Sequence, residues 1–212
     1  PAMINISGNA KVGPTLQKIV SMIEVANEQI LEDEGVPNLS GFKGSMSQST
    51  RSITPGTYAD ILVNYLKGAV LDKNNISTAD IKGLYLYSAT GRKLTINSTN
   101  STLYFLEAMN SQTGYAENGS FGGKLMDLII DIDGPNHGKN TFGNDLFYFV
   151  VDLNGSIVPI GGSTFVWLQN DDETKSWKAT NGEYGCNKDY ISDPAIGCAG
   201  SIFDNNLKVV YR

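Results

Sequence analysis

The chain has 212 residues, a formal net charge of −6 and only 18% charged residues, below the ~25% of an average soluble domain. Its length suits one domain with a substantial core. Its acidic balance, without a basic cluster, argues against a nucleic-acid partner, and no apolar run reaches the ~18 residues that a membrane-spanning helix needs.

Residues 12–34 carry the clearest helical pattern. Pro14 suits a first turn, and Gly35 is a stop signal. Acidic side chains crowd the second half, which is unfavourable for the helix macrodipole, so packing or positive partners must hold the helix. We expect it either to lie on a sheet or to continue upstream into a bundle with copies of itself. Its apolar stripe recurs at spacings of three and four: Val12, Leu16, Ile19, Ile23, Ala26 and Ile30.

A second helix is expected to start at Thr54-Pro55, because threonine caps and proline suits the first helical position. The pattern then changes to β. Short strands are predicted over 84–87, 93–96, 102–106, 164–168 and 207–211, and loops over 37–54, 111–123 and 169–193. A short helix or turn is expected after Cys198.

The central stretch, residues 124–162, predicts the middle of an antiparallel sheet. An apolar run over 125–132 precedes a loop rich in Asp, Asn and Gly, and a second β run follows over 146–153. Asn154-Gly155 is a strong hairpin signal leading to a strand over 156–160. The fold class is therefore α+β, with an N-terminal amphipathic helix packed on a small antiparallel sheet.

The central loop is a candidate calcium site. Calcium takes six to eight oxygen ligands, and on an extended strand Asp131 and Asp133 would face the same side. The spacing is not that of an EF-hand. Turn chemistry alone also explains such a composition, so both interpretations stay open. The candidate ligands are Asp131, Asp133, Asn136, Asn140 and Asp145.

The two cysteines, Cys186 and Cys198, lie close together in sequence and favour a disulfide formed in an oxidising compartment. A metal pair is the alternative, but a zinc site needs four ligands and no other soft ligand is near. Catalysis is not expected, since the single histidine, His137, has no motif around it and no nucleophile motif is present.

Taken together, these features resemble bacterial type IV pilin-like proteins, the family of pilins and of the pseudopilins of type II secretion systems. The start Pro1-Ala2-Met3-Ile4 is similar to the segment that follows the membrane half of the pilin helix, and Leu207 departs from the family's tryptophan. The matching positions are Asp131, Asp133, Gly134, Pro135, Asn136, Gly143, Asp145, Phe147, Gly155, Pro159, Cys198, Ala199, Ile202, Lys208 and Tyr211.

The resemblance implies a single pilin-like domain. Residues 1–35 would be the second half of the pilin helix, 36–123 an elaborated insert, and 124–212 the central sheet with a disulfide-closed C-terminal loop. It also implies a structural subunit of a cell-surface filament, anchored as a precursor in the inner membrane by a helix upstream of this sequence. Its partners would be copies of itself and other pilins, and calcium would order the head in the manner of major pseudopilins.

An extracellular binding module is the alternative from a different class. It would be an adhesin or a calcium-dependent glycan binder that uses Trp167, Trp177 and the loop over 169–193. Packing in the core or in a loop is the simpler interpretation of those tryptophans. The two functions are compatible in a subunit located at a filament tip.

Overall fold

The structure is a computed structural model that describes residues 6–42, 58–72, 91–106, 113–116, 124–137, 140–161, 165–168, 176–178, 186 and 197–208. The helices are α1 (Ile6–Asp33), a 3-10 turn (Leu39–Phe42), α2 (Tyr58–Tyr65) and α3 (Cys198–Asp204). The strands are β1 (Ala69–Asp72), β2 (Gly91–Ile96), β3 (Ser101–Leu106), β4 (Thr113–Ala116), β5 (Lys124–Asp131), β6 (Leu146–Asp152), β7 (Ile157–Pro159), β8 (Phe165–Leu168) and β9 (Ser176–Lys178).

Six antiparallel strands form the main sheet, in the order β1-β2-β3-β5-β6-β7. β5 and β6 are neighbouring interior strands and are buried wherever their side chains are described. A smaller sheet has the order β4-β8-β9, and its ladder places Trp167 opposite Trp177. The fold is therefore α+β, as the sequence predicts, with a six-stranded antiparallel sheet.

Helices cover one face of the main sheet. Its ladders place Phe105, Leu128 and Phe149 in one row across β3, β5 and β6. The ring of Tyr58 from α2 packs edge-to-face on Phe105 at 5.6 Å between centroids. The ring of Phe203 from α3 packs likewise on Phe149 at 6.0 Å. A helix thus covers each of the two phenylalanines at the ends of this row.

Helix α1 is buried along one stripe, which is the face predicted from the spacing of its apolar residues. Its contacts reach the β6–β7 hairpin through polar groups. Glu24 Oε1 accepts the Ile157 backbone N–H at 3.1 Å. Helical residues that are 6% exposed or less are Val12, Leu16, Ile19, Val20, Ile23, Ala26, Asn27 and Ile30.

The helix also approaches the C-terminal segment closely at Gly13. A Cβ there would overlap the backbone carbonyl of Leu207, so only glycine allows this contact inside the helix.

Within the described ranges, none of the helices has both the length and the apolar character to cross a bilayer.

Cys186 and Cys198 form a disulfide, which confirms the predicted pairing, and their Cα atoms are 4.3 Å apart. Cys198 is fully buried and begins α3, so the bridge ties that helix to Cys186. The short helix expected after Cys198 is therefore confirmed.

Most predicted elements lie where the sequence places them, and five predictions need correction. Helix α1 begins at Ile6, so Pro14 lies inside the helix and not in its first turn, and β1 (Ala69–Asp72) forms where no strand was predicted. β4 lies within 111–123 and β9 within 169–193, although both regions were predicted to be loops. Leu207 lies in a turn with a φ of 63°, so the terminal strand does not begin there. The strand over 84–87 and the start of the second helix at residues 54–57 lie outside the described residues.

Candidate cation site

The loop over residues 132–145 leaves the centre of the sheet at the end of β5 and returns at the start of β6. Asp131 and Leu146 are ladder partners at its neck. The Ile132 backbone N–H donates to the Asp145 carbonyl at 3.0 Å, which closes the neck. The Ser101 hydroxyl, at the start of β3, donates to the Ile132 carbonyl at 2.9 Å. The loop is therefore fixed to two neighbouring strands.

A tight turn brings the first two aspartates together. One carboxylate oxygen of Asp131, Oδ1, accepts the backbone N–H of Gly134 at 2.9 Å and that of Asp133 at 3.3 Å. Gly134 has a φ of 88°, and a Cβ there would lie 3.0 Å from the Asn100 carbonyl oxygen, so glycine is required. Asp133 thus follows a turn, not the extended strand that the sequence predicts, and it still lies beside Asp131.

Three side-chain oxygens of this loop are buried without a hydrogen-bond partner. They are Asp131 Oδ2, Asp133 Oδ1 and Asn140 Oδ1. Asp131 is fully buried. A buried polar oxygen without a partner costs roughly 1–3 kcal/mol, and more when it is charged, so most such atoms in proteins contact an ion, a water or a proton.

The pKa values of the carboxyl groups reflect the same crowding. Burial, and then the neighbouring Asp133 carboxylate, raise the pKa of Asp131 to about 7. Burial likewise raises the pKa of Asp145, with a further contribution from the charge of Asp133. A proton shared by Asp131 and Asp133, or a cation between them, would relieve this repulsion.

The five predicted ligands have different environments. Asp131, Asp133 and Asn140 contribute the three unpartnered oxygens, and the Asn140 side-chain amide also donates to the Pro135 carbonyl at 3.0 Å. Asp145 lies within the electrostatic reach of Asp133, but its Oδ1 accepts the Thr141 backbone N–H. Asn136 is exposed.

The donor chemistry matches a hard cation. Among the described residues, no three side chains drawn from His, Cys, Asp and Glu are grouped closely enough to hold a metal ion. The candidate site therefore depends on two adjacent carboxylates and one amide oxygen. Calcium accepts carboxylate, amide and carbonyl oxygens together with water, whereas zinc prefers sulfur and imidazole nitrogen.

Sequence reasoning missed the part that Asp145 and Ser101 play in shaping this loop. The Asp145 carboxylate anchors the Thr141 backbone, and the Ser101 hydroxyl anchors Ile132. The contact from Thr141 to Asp145 spans only four residues. The contact from Ser101 spans 31 residues and has no local signal.

Comparison of the chain with protein-family models, with curated proteins and with solved structures finds no match.

Proposed function

We propose that this chain is the head of a structural subunit of a type IV pilus-like filament or of a type II secretion pseudopilus. The role is not catalytic. The subunit would assemble on the cell surface with copies of itself and other pilins. An upstream helix would continue α1 and anchor the precursor in the inner membrane. Support comes from the order of elements, an N-terminal helix followed by an antiparallel sheet, and from the resemblance in sequence.

The observation that carries this proposal is the outer stripe of α1. It consists of Lys11, Lys18, Val25 and Glu32, which recur every seven residues and are all exposed. Val25 is 53% exposed, and only it and Val70 are exposed large hydrophobic residues among those described. Seven residues are two helical turns, so these four side chains lie along one line.

Charge is segregated along this outer stripe, with lysines in the first half and an acidic end. Lys18 and Glu32 are roughly 21 Å apart along the axis at 1.5 Å per residue. A second copy, parallel and displaced along the axis, would place its lysine against the acidic end of the first. Opposite charges on facing surfaces favour one register over others, which suits a repeating assembly.

We expect Val25→Arg to block filament assembly without unfolding the head, because it inserts a charge at the centre of the outer stripe. The measurement is the amount of subunit in filaments sheared from cells that express the full-length precursor with its assembly machinery. Val70→Arg is the matched control, since Val70 is 57% exposed on β1, away from α1. Assembly of Val25→Arg at the wild-type level would contradict the proposal.

A charge exchange tests the direction of packing. Lys18→Glu should reduce assembly, and the double variant Lys18→Glu/Glu32→Lys should restore it, since a head-to-tail contact pairs the two positions across neighbouring copies. Failure of the double variant to recover assembly would rule out this pairing while leaving the test at Val25 intact.

We also propose that the loop over 132–145 holds a calcium ion between Asp131, Asp133 and Asn140. The three unpartnered oxygens support this, because a cation would satisfy all of them. Calcium at ~100 times its dissociation constant should raise the free energy of unfolding by ~2.7 kcal/mol. For a domain of this size the melting temperature should rise by roughly 5–10 °C.

Thermal unfolding with calcium, and then with a chelator, measures this effect. Asp133→Asn should abolish the response, and it should also stabilise the calcium-free protein because it removes repulsion at Asp131. Asp33→Asn, at an exposed acidic residue at the end of α1, is the matched control and should respond like wild type. An equal calcium response in Asp133→Asn would exclude this loop as the site.

A further inference from the structure

An open groove of about 670 Å³ crosses the face of the main sheet that the helices leave uncovered. Its floor includes Val70 and Asp72 of β1, Lys93 and Thr95 of β2, and Thr102 of β3. Residues 133–137 of the cation loop also line it. Binding sites for small molecules commonly have volumes of ~300–1,000 Å³, so the groove is large enough for a ligand.

The strand register defines the direction of the groove. Val70, Thr95 and Thr102 are successive ladder partners, and Asp72 and Lys93 form the next row. The groove therefore crosses three strands over their side chains, from the edge strand β1 inward to β3.

The groups that line the groove include both hydrogen-bond donors and hydrogen-bond acceptors. Neither positive nor negative charge dominates among them. Lys93 Nζ lies 3.2 Å from Asp72 Oδ2, and these two side chains are 24% and 35% exposed. The hydroxyl of Thr95 and the amides of Asn100 and Asn136 both donate and accept. Val70, 57% exposed, adds an apolar contact. Mixed donors, acceptors and an apolar contact match a polyhydroxylated ligand with C–H faces.

We propose that this groove binds a short oligosaccharide. A phosphate-rich ligand would need a concentration of positive charge, and Lys93 is paired with Asp72. Among the described residues that line the groove, none is Phe, Tyr or Trp. Recognition therefore depends on hydrogen bonds, and a single site is weak. Many copies displayed on one filament would bind a surface through multivalency.

Calcium and the oligosaccharide are coupled through Asp133, and this part rests on the proposed calcium site. Asp133 lines the groove, and its Oδ1 is one of the three buried oxygens without a partner. Calcium at that oxygen holds the 133–137 wall in place and strengthens oligosaccharide binding. By linkage, the oligosaccharide then strengthens calcium binding by the same factor.

Nuclear magnetic resonance of the nitrogen-15-labelled protein tests the groove directly. The probes are cellobiose, N,N′-diacetylchitobiose and 3′-sialyllactose at millimolar concentrations, each with calcium and with a chelator. We expect at least one probe to shift the amide signals of Val70, Thr95 and Thr102. Val70→Arg places a large charged side chain in the groove and should abolish the shifts. Val25→Arg makes the same change on α1, outside the groove, and should leave them unchanged.

Absence of shifts with all three probes in both conditions would overturn the proposal, as would shifts that persist in Val70→Arg. Shifts of equal size with calcium and with chelator would support oligosaccharide binding in the groove. They would exclude only the proposed coupling between the oligosaccharide and calcium. Because Val25→Arg tests assembly and Val70→Arg tests the groove, failure of the filament proposal is distinguishable from failure of this one.

Discussion

Replacing Asn27 with leucine is expected to lower the free energy of unfolding by about 4 kcal/mol, because two buried polar groups lose their partner. The Asn27 side-chain amide donates to the Gly155 carbonyl at 2.6 Å, and the Tyr58 hydroxyl donates to Asn27 Oδ1 at 2.5 Å. Asn27 is 1% exposed and Tyr58 is fully buried. One side chain thus joins α1, α2 and the β6–β7 turn.

The geometry around Gly155 adds to this cost. Gly155 has a φ of 91°, and a Cβ there would lie 3.0 Å from the Asn27 Cβ, so the turn and the helix are already in close contact. The branched leucine side chain must fit the same space, and overpacking costs a further ~1–3 kcal/mol when the surroundings cannot move. Burial also raises the pKa of Tyr58, so its hydroxyl stays neutral and remains a donor.

Urea unfolding of purified protein measures the effect, and Tyr58→Phe provides the comparison. That variant keeps the bond to Gly155 but leaves the buried Asn27 Oδ1 without a donor, so we expect a loss of about 2 kcal/mol. A loss below 1 kcal/mol in Asn27→Leu would show that Asn27 does not hold these elements together. It would also show that the buried groups can find other partners.

Asn27 shows how far sequence reasoning reaches in this protein. Periodicity places α1 and its buried stripe correctly, because the rule depends only on the spacing of apolar residues. Asn27 lies next to that stripe, four residues after Ile23, where a polar side chain indicates a buried hydrogen bond. Its partner Gly155 is 128 residues away, and nothing local in the sequence specifies a contact over that distance.

Two of the strands missed from the sequence, β4 and β9, share a physical cause. β4 reads Thr-Gly-Tyr-Ala and β9 reads Ser-Trp-Lys, and each is too short to show an alternating apolar pattern. Both are paired through β8, whose four residues are apolar and were predicted as a strand. Whether such a short segment forms a strand depends on its pairing with a recognisable neighbouring strand, and not on its own composition.

The candidate site was predictable in its composition but not in its geometry. The sequence identified the oxygen-rich loop, because Asp, Asn and Gly are concentrated between two apolar runs. It could not separate residues with unpartnered oxygens, such as Asp131 and Asn140, from Asp145, whose carboxylate already accepts a backbone N–H. Whether a carboxylate oxygen has a partner depends on which backbone N–H groups the folded turn places within hydrogen-bonding distance of it.

Removing the disulfide is expected to cost about 3 kcal/mol, through the double variant Cys186→Ala/Cys198→Ala. The bridge spans a sequence separation of 12, and freeing a loop of that length in the unfolded chain accounts for this value. Alanine is chosen because Cys198 is fully buried, and a serine there would place a hydroxyl in an apolar site.

The local consequence should be larger than the global one. Helix α3 has seven residues, too few to be stable alone. It is attached to the sheet by the Gly200 N–H to the Ile160 carbonyl at 2.7 Å and by the Phe203 ring on Phe149. Without the bridge, these two contacts and the buried side chains of Ala199 and Ile202 remain to hold it. The Gly200 amide should therefore exchange with solvent much faster in the double variant, while amides of β5 and β6 change only with the global stability.

Urea unfolding and hydrogen exchange measure the two effects, with reductant as the control. Wild type under reducing conditions should match the double variant, and the double variant should not respond to reductant. A loss below 1 kcal/mol together with unchanged exchange at Gly200 would mean that packing alone holds α3. In that case the disulfide would constrain only the loop before the helix, and the C-terminal segment would owe its position to Phe203 and to the contact between Gly13 and Leu207.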